Sequence, residues 1–298
     1  MISEIQLSTE EHQRKSLSPE NLSLAIAAIN TEGYLIVRGV LPDDRLERLR
    51  DLLDEEWKHF LTAKPAWRGG GKIIGHLGLM PPKTADFIDP EILCHPIIQS
   101  IVSGVLGDGV RITGIGGNVN LPNSVDQQFH SDLEYPQSDK LMVNIPLGDV
   151  NEQNGSLDLI PRTHISEQSD QGQSLRANTR NGDVIIRFLH LQHRGKRNLS
   201  NRPRYMLGFW QSVLSPERQK DEKICLDPGS RDLLDDCLRQ FEAVLQGGAQ
   251  PVFGPNYFAP NAKGLVKEMI YRFSPSGYGY LTRVLGRSSS KRDRSRRH

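Results

Sequence analysis

A chain of 298 residues with 37% hydrophobic content can bury one sizeable core, and a formal net charge of +1 offers no global field for nucleic acid. Three cysteines, Cys94, Cys225 and Cys237, form an odd and sparse set that fits a reducing compartment without a disulfide framework. No apolar run approaches membrane-spanning length, the N-terminus is polar, and the last residues, Arg-Arg-His, are no peroxisomal address, so a cytoplasmic protein without membrane or nucleic-acid partners is expected.

In chain order, Ser18-Pro19-Glu20 starts a short helix to about Asn30, and Gly33–Val40 reads as a strand. Pro42-Asp43-Asp44 then opens a helix whose Leu46, Leu49, Leu53, Trp57 and Phe60 share a core-facing side. Gly69-Gly70-Gly71-Lys72 lacks the leading Gly and trailing Ser/Thr of a phosphate loop and reads as a flexible loop suited to a lid. His76 reads as a hydrogen-bonded loop histidine. From Arg111 to about Val213, short β-like runs alternate with turn clusters, as in a barrel or sandwich. Within it, Gly114-Ile115-Gly116-Gly117 lacks the third glycine of a dinucleotide fingerprint and runs into strand-like residues. Lys140–Val150 is expected to pair near the His130 segment. Beyond Ser215, Asp232–Gln246 reads as a helix with Leu233, Leu234, Cys237, Leu238, Phe241 and Leu245 on its buried side. The stretch 287–298 holds six Arg/Lys and one Asp, and reads as a disordered, solvated basic tail.

The chemistry-bearing pattern begins at His130-Ser131-Asp132. On a β-strand, side chains alternate with period two, so His130 and Asp132 would point the same way. They would supply two thirds of a two-histidine, one-carboxylate triad for non-haem Fe(II). A third ligand is available in Asn181-Gly182-Asp183-Val184-Ile185-Ile186-Arg187-Phe188-Leu189-His190-Leu191-Gln192-His193-Arg194-Gly195. A turn signal there precedes an apolar strand and two histidines. His190 and His193 would face opposite sides of a continuous strand, so one of them at most reaches the metal. Arg204 follows His193 by eleven residues, at the entrance of the apolar run Tyr205-Met206-Leu207-Gly208-Phe209-Trp210.

These segments, together with Gly33–Leu41 and Ile145–His164, resemble the phytanoyl-CoA dioxygenase family of iron- and 2-oxoglutarate-dependent oxygenases over roughly residues 30–215. The resemblance implies a mainly β fold with flanking helices and a double-stranded β-helix (jelly-roll, cupin-like) core at about 70–215. The expected organisation is a single oxygenase domain over 1–286, with the tail 287–298 outside it. It also implies His130, Asp132 and His193 as the catalytic Fe(II) ligands, Arg204 on the distal carboxylate of 2-oxoglutarate, and dioxygen as oxidant. Because Asp132 occupies the carboxylate position, no site is vacated for halide, which argues against a halogenase. Gly195 stands where some members carry a hydroxyl residue near the co-substrate, and Ser200 and Tyr205 both remain open as substitutes. Trp67, Phe87, Glu134 and Tyr135 are the candidate substrate residues, chosen for closeness to the lid or to Asp132. The expected activity is oxidation of a small-molecule metabolite; a protein side-chain hydroxylase or a non-catalytic β-helix binding protein are the alternatives. The sequence leaves oligomeric state and substrate identity open.

Overall fold

In the computed structural model, which describes residues 3–62, 75–79, 87, 89–132, 140–165 and 173–213, strand parity does most of the organising. The helix at Asp232–Gln246, the lid at Gly69–Lys72, the basic tail and the side chains of Trp57 and Phe60 lie outside the described residues.

The N-terminal part alternates strands and helices: β1 (Glu4–Gln6), α1 (Thr9–Arg14), α2 (Pro19–Glu32), β2 (Tyr34–Arg38) and α3 (Asp43–Thr62). Local sequence explains the boundaries. The Ser18 side chain accepts from the Asn21 N–H and Pro19 opens α2, while Gly33 ends it at φ 87°, a conformation that costs a residue with a Cβ. At α1, Ser8 and Glu11 form a reciprocal capping box. Next come β3 (His76–Leu79), the short α4 (Pro90–Leu93), α5 (Pro96–Leu106) and β4 (Val110–Asn120). The remainder is β: β5 (Lys140–Pro146), β6 (Leu157–Leu159), β7 (Leu175–Ala177), β8 (Val184–Phe188), β9 (His193–Gly195) and β10 (Arg204–Val213).

Seven strands form a large mixed sheet in the order β1-β2-β8-β5-β10-β4-β3, and three form a smaller one, β7-β6-β9. The outer face of the large sheet is apolar. Leu35, Val37, Leu141, Val143, Val184, Ile186, Leu207 and Phe209 pack there with Ala25 and Ile29 of α2, Leu46, Leu49 and Leu53 of α3, and Ile97, Ile98 and Ile101 of α5. Each fully buried Leu or Ile of this kind contributes about 1.5–3 kcal/mol. The opposite face meets the small sheet through a second cluster of Tyr34, Ile36, Ile185 and Met206 against Leu157, Leu159 and Ala177.

The register shows what else shares that inner face. Arg204 and His76 both pair with Asn120, Asn144 pairs with Gly208, and Arg187 lies between Tyr34 and Met142. Side chains of directly paired residues project to one side, so His76, Asn118, Asn120, Arg204, Asn144 and Arg187 all face the small sheet. A polar band thus crosses the inner face beside the apolar inter-sheet cluster.

Three expectations are corrected. The strand expected over Lys140–Val150 ends at Pro146 and pairs with β8 and β10, not with the His130 segment; Val150 instead bridges Thr179. His76 is the first residue of a buried strand rather than a loop residue. His190 and His193 do not share a strand: β8 stops at Phe188, the chain turns, and His193 opens β9 in the other sheet.

Candidate active site

His130 is joined to His193 by an isolated antiparallel bridge, which extends the small sheet by one short segment beyond β9. Asp132, two residues on, is fixed by its own N–H donating to the Leu189 carbonyl at 2.9 Å. This segment is extended but is not a regular strand; the bridge and that one hydrogen bond set its geometry. His130, Asp132 and His193 each offer a ligand atom, and those atoms lie within 4.8 Å of one another; among the described residues no other group of three does so.

The two imidazoles are oriented alike. His130 Nδ1 is 2.9 Å from the Gln128 carbonyl, and His193 Nδ1 is 2.9 Å from the Leu191 carbonyl. A carbonyl only accepts, so each Nδ1 carries a proton, and the neutral form of each ring presents its lone pair at Nε2. Burial, with the Arg187 charge acting the same way, pushes His193 down to about 3, so it is neutral at physiological pH. Burial works to raise the Asp132 carboxyl, but the charge and hydrogen bond of Arg187 overcome it and hold the group well below the usual carboxylate range.

Arg187 is the residue that sequence reading missed. Its Nη2 donates to Asp132 Oδ2 at 2.6 Å and its Nε to Asn144 Oδ1 at 3.1 Å, from the last-but-one residue of β8. That leaves Oδ1 of Asp132 directed towards His193 Nε2, 3.7 Å away. The signal was present: a single arginine inside the apolar run Val184-Ile185-Ile186-Arg187-Phe188 is a buried charge, and buried charges are paired.

Arg204, at the start of β10, is equally buried. It donates from Nη1 to Asn118 Oδ1 at 3.2 Å and from Nη2 to the Gly155 carbonyl at 3.0 Å. Its Nε has no partner, and no carboxylate pairs with it among the described residues. Burial alone brings the guanidinium down to about 10, so it stays charged at neutral pH. A desolvated cation that keeps a donor in reserve is a site for an anion.

The match to the family model of phytanoyl-CoA dioxygenase covers residues 29–206. The chain belongs to the phytanoyl-CoA dioxygenase family. Solved structures of similar architecture include the epimerase SnoN in complex with Fe3+, alpha ketoglutarate and nogalamycin RO (TM-score 0.54, 16% identity, 72% of this chain and 90% of that one). The carbocyclase SnoK from nogalamycin biosynthesis follows (TM-score 0.52, 17% identity, 72% and 88%). AviO1 from Streptomyces viridochromogenes is a third (TM-score 0.52, 15% identity, 67% and 97%). The likeness establishes the fold as the jelly-roll, double-stranded β-helix of phytanoyl-CoA dioxygenase-type enzymes.

Within this member of the phytanoyl-CoA dioxygenase family, the other expected residues divide clearly. His190 is buried away from the triad, its Nε2 2.8 Å from the His164 carbonyl and its ring beside Phe188. Tyr205 faces outward and donates to Asp54 Oδ1 at 2.7 Å, tying β10 to α3. Ser200 Oγ bonds Asn198 Oδ1 at 2.6 Å. Neither hydroxyl assists Arg204; Asn118 and the Gly155 carbonyl do. Phe87 packs in the helix-side core, not on the inner face. Trp67, Glu134 and Tyr135 lie outside the described residues. No helix among the described residues is long and apolar enough to cross a membrane.

Proposed function

We propose that this protein is an Fe(II)- and 2-oxoglutarate-dependent dioxygenase that oxidises a small organic metabolite. The observation that carries the reading is the convergence of His130, Asp132 and His193, whose two Nε2 atoms and Asp132 Oδ1 make no hydrogen bond among the described residues. Two neutral imidazoles and a carboxylate suit Fe(II) and leave coordination positions for other ligands.

His130 and His193 would hold iron through Nε2 and Asp132 through Oδ1, since Oδ2 is already engaged by Arg187. Arg187, braced by Asn144, keeps that carboxylate ionised and turned in one direction. Arg204 would bind the distal carboxylate of 2-oxoglutarate, and Asn118 with the Gly155 carbonyl fixes the guanidinium plane. Iron and 2-oxoglutarate, when bound, supply the oxidising chemistry: dioxygen is reduced while the 2-oxo acid is converted to succinate and carbon dioxide, and a substrate C–H bond is oxidised. The chain's own task is to orient these groups and keep water from them. SnoN and SnoK are enzymes of nogalamycin biosynthesis, and a substrate of that broad class, a small organic natural product, is proposed for this protein.

Anaerobic titration of the purified protein with Fe(II) and 2-oxoglutarate tests the reading. A weak visible charge-transfer band is expected, and it should be lost in Asp132→Ala and His193→Ala. Well-folded wild-type protein that develops no band overturns the proposal.

A further inference from the structure

His76 is the most buried polar group near the site that the reading above leaves without a task. It is 7% exposed and Arg204 5%, and the two sit in one row across the large sheet, each paired to Asn120 from opposite sides. Nε2 of His76 lies 2.8 Å from the Val125 carbonyl. That nitrogen therefore carries a proton, and Nδ1 is left with a lone pair and no partner. Arg204 Nε is the matching orphan donor in the same row. Across the gap, Gly195 shares the inner face of β9 with His193. A Cβ placed on Gly195 would stand 2.8 Å from Cε1 and 3.1 Å from Nδ1 of His76. The unpartnered edge of His76 thus reaches from the large sheet to the small one, and the absence of a side chain at position 195 is what admits it. Two buried, unpaired polar atoms in one row mark a place where a ligand completes the hydrogen bonding.

We propose that His76 is a second binding residue for the distal carboxylate of the 2-oxo diacid, joining Arg204 through Nδ1 as an imidazolium, so that binding takes up one proton. The inference rests on the co-substrate reading above. A carboxylate oxygen brought against the Nδ1 lone pair of a neutral ring would be repelled; against the charged ring it accepts a hydrogen bond. Before ligand arrives, burial, with the Arg204 charge acting the same way, holds the ring at about 4 and hence neutral. The charges that act on it are Arg204 from β10 and Asp126 from the segment leading to His130, whose ring is the other titratable group nearby. An incoming carboxylate cancels the Arg204 charge and adds a negative one beside the ring, which favours protonation. The proton comes from solvent, and no bond other than N–H is made.

The test is calorimetric titration of anaerobic, Fe(II)-loaded protein with 2-oxoglutarate, in buffers of different ionisation enthalpy, between about pH 6.5 and 8. Wild type is expected to take up close to one proton per 2-oxoglutarate, with affinity falling as pH rises. His76→Leu should bind about 10- to 100-fold more weakly, without proton uptake and with iron affinity unchanged. His76→Gln keeps a neutral donor, so it should retain most of the affinity while losing the proton uptake. If His76→Leu fails to fold, the proton count of His76→Gln decides alone. Binding by wild type without proton exchange, as when a water fills the space, overturns the proposal and leaves the co-substrate reading intact. The same holds for equal uptake in His76→Gln. Iron-loaded wild type that binds no 2-oxoglutarate at all brings down the co-substrate reading, and this inference with it.

Discussion

His130 and His193 stand directly opposite one another. Each backbone N–H donates to the other's carbonyl, at 3.0 and 2.9 Å, and the ring centroids are 4.5 Å apart. One short bridge therefore sets two of the three candidate ligands, and each ring is aimed by the carbonyl two residues before it.

The same bridge separates His193 from His190, which lies outside it. His193→Ala is expected to abolish Fe(II) binding while leaving the fold cooperative. His190→Ala should keep iron and lose about 1–3 kcal/mol of stability, because it removes a buried hydrogen-bonding ring from the His164 carbonyl. Equilibrium metal titration and urea unfolding of both variants make the comparison; iron loss in His190→Ala alone would reverse the ligand assignment.

Arg187→Met tests the charge that holds Asp132 ionised. In the wild type the carboxyl is held below its usual range, so a proton competes with metal only at low pH. Without Arg187 the burial of the carboxyl goes uncompensated and its pKa rises. Metal binding by the variant should therefore fail at a higher pH than in wild type as the solution is acidified. Iron affinity measured across the acid range reads this directly, and superimposable profiles would remove Arg187 from the account.

Tyr205→Phe and Ser200→Ala should leave 2-oxoglutarate affinity within about twofold of wild type, since both hydroxyls are committed elsewhere. Tyr205→Phe should still cost about 1 kcal/mol of stability through its lost bond to Asp54. Asn118→Ala, in contrast, frees one side of the Arg204 guanidinium and should weaken 2-oxoglutarate binding about tenfold. Binding isotherms for the three variants distinguish the roles.

Glu11 stabilises the N-terminal helices. Burial works to raise its carboxyl, but the backbone N–H groups of Ser18 and Ser8 and the side chains of Asn21 and Ser8 bring it from 4.5 down to about 2. A carboxyl depressed on folding stabilises the native state above its unfolded pKa, and that contribution disappears as pH falls from about 4.5 towards 2. Glu11→Ala should cost about 1–2 kcal/mol near neutral pH and progressively less in acid. Urea unfolding at several pH values gives the answer; a pH-independent difference would mean that the charge is not what matters.

Local signals carried much of this in the sequence. The Ser18-Pro19 start of α2 and the apolar run of β10 follow from rules that act within a few residues. The His130 and Asp132 pair was visible as a spacing. What stayed hidden depends on which strands become neighbours. Arg187 meets Asp132 across 55 positions, and His76 reaches Gly195 from an edge strand of the other sheet. Nothing near either residue announces such a meeting; only the strand order does.

That order also decides where the chain can be lengthened. In β10, Arg204, Met206 and Gly208 keep one parity, and the ladder to β4 slips between Trp210 and Gln211. An extra residue between Arg204 and Trp210 would exchange the two faces, turning Tyr205 inward and Arg204 into the apolar layer under the helices. The offset at that slip lies in β4, which passes over Thr113, while β10 stays in register with β5 as far as Ser212. The stretch from Arg204 to Ser212 is thus a counted segment, in which substitutions leave the two faces in place and an insertion does not.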